Sequence, residues 1–380
     1  MRRFRAAGVF AVLLSGCHTV PLHSQPFDHS TREAAPLRLF EVDWRVELVG
    51  PRIWDYRPLE PARPAVDPDT GRIVVLTRDG RVRSVSPQGH VEWEFKTEDP
   101  FVAGATVQEE VAYVPGGDGV LYALRARDGS VAWKYDAGEQ LATAPLVAAG
   151  RVYVASQGNT LYAVDAKNGQ WLWQYRRDLP AGFMVQGVGA PTLAHGILYA
   201  GFADGFLVAL DPATGAVKWE RALSSPGKEF LDVDTKPILD QAGRIIAASY
   251  KDGIYALDPA TGEVVWTTVS AGVTGALERG GVVFTTGDHG VTAVLAENGS
   301  VLWGVQLGDR AAQPPAFAPG LLAVPVETAL LFIDPASGHT RLRWDPGEGV
   351  TATPASAGRR LYVLSNTGYL YALRLRGRGG

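Results

Sequence analysis

Only one cysteine, Cys17, occurs in the 380 residues, so no intramolecular disulfide can staple the chain and no vicinal cysteine pair exists. An excess of basic charge is missing too. The formal net charge is −4 at pH 7, and loss of an arginine-bearing leader would make it more negative, which argues against binding nucleic acid. Arg374, Arg376 and Arg378 near the C-terminus read as a solvated end. The histidines follow no zinc spacing: His18, His23 and His29 lie in a proline-punctuated stretch, while His90, His195, His289 and His339 fall at turns or strand edges. No nucleophile–base pair can be read from spacing either. The expectation is therefore a chain with no catalytic residue, no metal site and no cofactor. Long apolar runs are lacking as well, because residues 6–14 are too few to cross a bilayer as a helix.

That short apolar run has a different use. Arg2, Arg3 and Arg5 precede it and Ser15 and Gly16 follow it, so residues 1–16 read as a secretory signal peptide. Leu14-Ser15-Gly16-Cys17 resembles the bacterial lipobox, which implies cleavage before Cys17 and its acylation, palmitate included. His18 rather than Asp after the cysteine implies sorting to the outer membrane, facing the periplasm. Several acyl chains hold a protein stably, since each buried methylene contributes about 0.8 kcal/mol. Residues 17–39, with Pro21, Pro26 and Pro36, read as a lipidated tether.

Residues 40–380 are built differently. Their glycines, prolines and aromatics suit many short strands broken by tight turns. Tryptophan recurs roughly every 40 residues, at Trp44, Trp93, Trp133, Trp173, Trp219, Trp266, Trp303 and Trp344. Between successive tryptophans four short strand patterns alternate with turn signals. Asp79-Gly80, Asp118-Gly119, Asp204-Gly205 and Asp252-Gly253 mark one turn of the repeat; Asp128-Gly129, Asn168-Gly169 and Asn298-Gly299 mark the next. A four-stranded antiparallel unit at this period predicts an all-β, eight-bladed β-propeller. The C-terminal residues 352–375 supply three strands without a tryptophan strand, and residues 40–46 supply a tryptophan strand without a blade. Joining the two closes the ring.

The repeat itself is recognisable. Leu121-Tyr122-Ala123-Leu124, Leu161-Tyr162-Ala163-Val164-Asp165 and the run from Ile254-Tyr255-Ala256-Leu257-Asp258 to Trp266 resemble the pyrroloquinoline-quinone-type propeller repeat. That repeat serves quinoprotein dehydrogenases and non-enzymatic propellers alike, so fold alone does not assign function. With its lipobox, short tether and absence of a further domain, the layout resembles the outer-membrane protein assembly factor BamB family. The resemblance implies a non-enzymatic scaffold of the β-barrel assembly machinery, a monomer within a complex. It would bind the BamA-type barrel component and, by strand addition, unfolded outer-membrane clients. The segment Phe230-Leu231-Asp232-Val233-Asp234-Thr235 is similar to the family's aspartate-containing contact loop, which implies partner binding by Asp232 and Asp234. Phe183, Met184, Val185 and Gln186 fall where the family places a second contact loop, with Gln186 where the best-known members carry arginine.

Loop lengths point to the same two places. Connections between blades mostly take eight or nine residues, whereas 176–189 and 221–235 are longer. Consecutive Phe183, Met184 and Val185 need cover, and Asp232 and Asp234 alternate as if to share one face. Buried loop apolars and side-chain-to-backbone aspartate turns are the plain alternatives. A third long connection, 49–63, carries Trp54 and Tyr56 and reads as filling beside the closing blade. The rival functions are a periplasmic quinone-dependent dehydrogenase and an envelope scaffold with another partner.

Overall fold

The computed structural model describes residues 39–50, 58–179, 188–224, 232–288, 290–307 and 311–376, and among these it contains strands and turns but no α-helix. The strands form eight four-stranded antiparallel sheets, each a meander, and together they make an eight-bladed propeller. Blade 1 runs from Ala65–Val66 to Val91–Lys96, blade 2 from Thr106–Gln108 to Val131–Asp136, and blade 3 from Leu146–Ala148 to Trp171–Arg176. Blade 4 runs from Thr192–Ala194 to Val217–Ala222, blade 5 from Ile238–Leu239 to Val264–Val269, and blade 6 from Val273–Arg279 to Val301–Val305. Blade 7 runs from Ala316–Ala318 to Thr340–Trp344. Blade 8 takes three strands from the C-terminus, ending with Tyr369–Leu375, and its fourth from the N-terminal strand Phe40–Glu47.

Burial explains the sequence texture. The two middle strands of a blade are covered on both faces by neighbouring blades, so they read as apolar runs: Ile73–Thr77 and Ile245–Ser249 are buried at every position. Outer strands alternate, and Val131–Asp136 buries Trp133 between solvent-facing neighbours. The apolar core is accordingly divided among the gaps between blades. One cluster joins Val74, Leu76 and Trp93 of blade 1 to Val114 and Leu124 of blade 2.

The recurring tryptophan is an inter-blade latch. Each indole Nε1–H from Trp44 to Trp303 donates to a backbone carbonyl in the third-to-fourth-strand turn of the next blade, at 2.8–3.2 Å. Trp133, for example, reaches Ala166 O at 3.0 Å. Tyrosines reinforce the joint, since Tyr153 Oη and Trp173 Nε1 both donate to Pro212 O. The ring lies flat on the glycine of that same turn. A Cβ on Gly169 would sit 2.5 Å from Trp133 Cε3, and the residue has φ +72°, so both the contact and the conformation require glycine. Burying such an indole contributes a few kcal/mol, on the order expected for an aromatic side chain.

Trp344 has no such turn to receive it, because at blade 8 the third and fourth strands are the two ends of the chain. Instead it packs edge-on against Phe40 and Tyr371, both 5.2 Å away between ring centroids. The N-terminal strand pairs Phe40 with Leu375 through to Glu47 with Tyr369, bulging between Val42 and Trp44. Asp43, at the bulge, accepts from Arg360 at 3.0 Å and Arg374 at 2.6 Å. One strand thus completes blade 8 and, through Trp44, latches it to blade 1.

Candidate docking rim and central channel

Inter-blade connections and second-to-third-strand hairpins share one rim, as a four-stranded meander requires. The stem of the connection from blade 3 to blade 4 is held by a polar network. Arg177 donates to Asp204 at 2.5 Å and Glu220 at 2.8 Å, and its guanidinium lies 4.4 Å from the Phe206 ring centroid. Those acceptors raise its pKa against the effect of burial. Buried Asn159 donates to Arg177 O and Asp178 O and accepts from Ala203 N. Beyond the stem, Leu179 is exposed. Phe183, Met184, Val185 and Gln186 lie outside the described residues, as does Cys17.

The connection from blade 4 to blade 5 is described from Asp232 onward, and there it runs into the gap between the blades. Val233 is fully buried, with its N–H donating to Phe202 O at 3.1 Å, and Asp232 O accepts from Tyr250 N at 3.0 Å. Gly201 makes room for this crossing, since a Cβ there would sit 2.1 Å from Val233 O. Thr235 closes the segment by accepting from Ala248 N at 3.2 Å.

Asp232 and Asp234 are therefore brought together, but inside the rim. Asp232 is buried, and both carboxylate oxygens of half-buried Asp234 are shut off from solvent. Apart from the approach of its own N–H, the Asp234 carboxylate meets no hydrogen-bond partner among the described residues. Burial first, and the charge of Asp232 second, push its pKa up to about 7. Tyr250 Oη, which donates to Asp288 beside them, is pushed up to about 12 by that hydrogen bond and by burial. A surface acidic pair is what alternation suggested; instead both carboxylates lie inside the rim, covered by blades 4 and 5.

The raised pKa fixes a sign. Between about pH 4 and pH 7 the folded protein keeps a proton on Asp234 that the unfolded chain releases, so this group's contribution to stability falls as pH rises through that window. Asp234→Asn removes the titration. Its melting temperature should exceed that of the parent by a few degrees at pH 8, with the difference shrinking toward pH 4. A constant difference across that range would show that Asp234 is charged in both states.

Along the axis runs a channel of about 440 Å³, lined by the innermost strands, including Ala65, Thr106 and Leu146, and by Arg63 and Lys236 at its rim end. Among the described residues no group of three His, Cys, Asp or Glu side chains is placed to hold a metal ion. No helix among them is long and apolar enough to cross a membrane. Arg177, Asn159 and Tyr250 were not singled out by sequence pattern; only the length of the adjoining connections marked their neighbourhood.

Comparison with known proteins places this geometry in a family. A family model described as outer membrane protein assembly factor BamB matches residues 78–295 and 287–378. The outer membrane protein assembly factor BamB of Legionella pneumophila (strain Paris) is 27% identical over 193 residues, 48% of this chain and 50% of that protein. The match thus spans about half the length of that curated relative. Among solved structures, BamB from Moraxella catarrhalis superposes with a TM-score of 0.76 at 22% identity, covering 88% of this chain and 100% of that one. Quinohemoprotein alcohol dehydrogenase from Comamonas testosteroni gives 0.74 at 16% identity, covering 90% of this chain and 77% of that one. At those identities the superpositions establish a shared fold, and it is the family model, matched from blade 1 to blade 8, that decides between them: the chain belongs to the outer membrane protein assembly factor BamB family.

Proposed function

We propose that this chain is a non-enzymatic scaffold in outer-membrane β-barrel assembly, lipid-anchored through Cys17 and facing the periplasm. Its partner is the BamA-type barrel component, met at the rim where connections 176–189 and 221–235 flank blade 4. The observation that carries the reading is the family match across the repeated blades. The rim supports it: exposed Leu179, the apolar run Phe183, Met184 and Val185, and the segment at Asp232 and Asp234 adjoin one blade. Outer strands add a second surface. Val131, Trp171, Val264 and Val301 are exposed on sheet edges, where an unfolded client could add a strand.

The quinone-dependent enzyme is the reading to set against it, because a dehydrogenase shares the fold. Its calcium-bound cofactor does not fit the described lining of this channel, which presents two cations and, among the described residues, no carboxylate to a divalent ion. Affinity capture of tagged full-length protein from envelope membranes is expected to return the barrel component. Uptake of pyrroloquinoline quinone with calcium and alcohol-dependent reduction of a dye would overturn the scaffold reading.

A further inference from the structure

The channel holds a feature that docking at the rim does not use. Strand register aligns the blade starts, and the position two residues before each innermost strand's reference pairing is small or uncharged in six blades: Gly104, Ala144, Ala190, Gly275, Pro314 and Thr353. In blade 1 it is Arg63 and in blade 5 it is Lys236. Four steps apart in a ring of eight, these blades face each other across the axis, so the only two charges at this level converge from opposite walls.

Among the described residues neither cation meets a neutralising partner. No ion pair joins Arg63 or Lys236 among the described residues, and none of the described residues lining this cavity is an aspartate or glutamate. Asp234, two residues from Lys236, has its charged neighbours in Asp232 and Asp288 instead. Water reaches both side chains, yet surrounding protein strips enough hydration to lower the pKa of each, and Arg63 lowers that of Lys236 further. Two like charges held at partly dehydrated positions oppose folding unless a counter-charge meets them.

We propose that the rim end of the channel is a binding site for a small multivalent oxyanion, a polycarboxylate or phosphate, bridging Arg63 and Lys236. Arg63 offers a planar fork that pairs two oxygens, and Lys236 offers a point charge that adapts to the remainder of the ligand. The cavity of about 440 Å³ admits a molecule of that size with its hydration.

The test is a thermal melt of purified full-length protein in detergent at constant ionic strength, titrated separately with citrate and inorganic phosphate against chloride. A saturable rise of a few degrees with at least one anion is expected, because a ligand bound only by the native state stabilises it. Response to citrate alone assigns a polycarboxylate, and response to phosphate alone assigns a phosphate. Arg63→Gln/Lys236→Gln should abolish the rise while melting, without anion, no lower than the parent, since the repulsion is gone. Calorimetric titration of Lys236→Arg, which keeps the charge, should retain binding that Lys236→Gln weakens at least several-fold. Absence of a saturable response to both anions overturns the proposal, as does an equal response in parent and double variant.

Discussion

Deletion of residues 40–47 is expected to abolish the folded state. Blade 8 would keep three strands and expose the edge of Tyr369–Leu375; Trp344 would lose its Phe40 cover. Blade 1 would lose the Trp44 ring that lies on Gly89 and donates to Pro87 O at 2.9 Å. Arg360 and Arg374 would lose their shared acceptor, Asp43. A ladder, an aromatic joint and an ion pair vanish together, against a total stability of only about 5–15 kcal/mol for a typical domain. No cooperative melting transition and a collapse in the yield of intact protein are therefore expected, read by circular dichroism and by immunoblotting of whole cells. Transplanting the strand should rescue the protein. Phe40 faces Leu375, so residues 40–49 placed after Arg376 through a turn like 166–170 of blade 3 would form the ordinary third-to-fourth-strand hairpin. Failure of this permuted chain to melt cooperatively would mean that the N-terminal strand does more than close the ring.

The second large effect belongs to the latch. Gly150 and Gly169 have nearly the same φ, +71° and +72°, but a Cβ on Gly150 meets nothing within 4 Å whereas one on Gly169 meets the Trp133 ring at 2.5 Å. Gly150→Ala isolates the conformational cost, about 1–2 kcal/mol. Gly169→Ala adds forced displacement of a packed indole, a further ~1–3 kcal/mol. Chemical denaturation of the two variants should therefore separate them clearly, with Gly169→Ala the less stable. Equal losses would show that the turn glycine serves its backbone alone, and that the tryptophan does not fix the spacing of the blades.

Eight tryptophans and their turn glycines made the propeller legible before any coordinates, because each blade repeats one local pattern of strand, hairpin and strand. Which glycine lies under which indole was not legible, since that contact crosses from one blade to the next and leaves no mark in local spacing. The candidate site was read less completely. Loop length picked out a neighbourhood of unusual packing, but the alternation of Asp232 and Asp234 was an unsafe guide to exposure. Period two separates a buried face from a solvent face only where one side of a strand is open. Here blades 4 and 5 cover the segment, Val233 fills the gap, and the aspartates go in with it. Arg63 and Lys236 were hidden for a different reason: each is one charged residue at the end of a connection marked only by its length, and only register across eight blades shows that its counterparts are neutral.

The scaffold account turns on whether the rim beside blade 4 holds the barrel component. Capture from envelope membranes by the tagged parent, by Leu179→Asp and by Phe183→Asp, with melting temperatures measured alongside, addresses this directly. The account predicts that the parent returns the BamA-type component and that the variants, still cooperatively folded, lose most of it. Full capture by folded variants, or none by the parent, would contradict it.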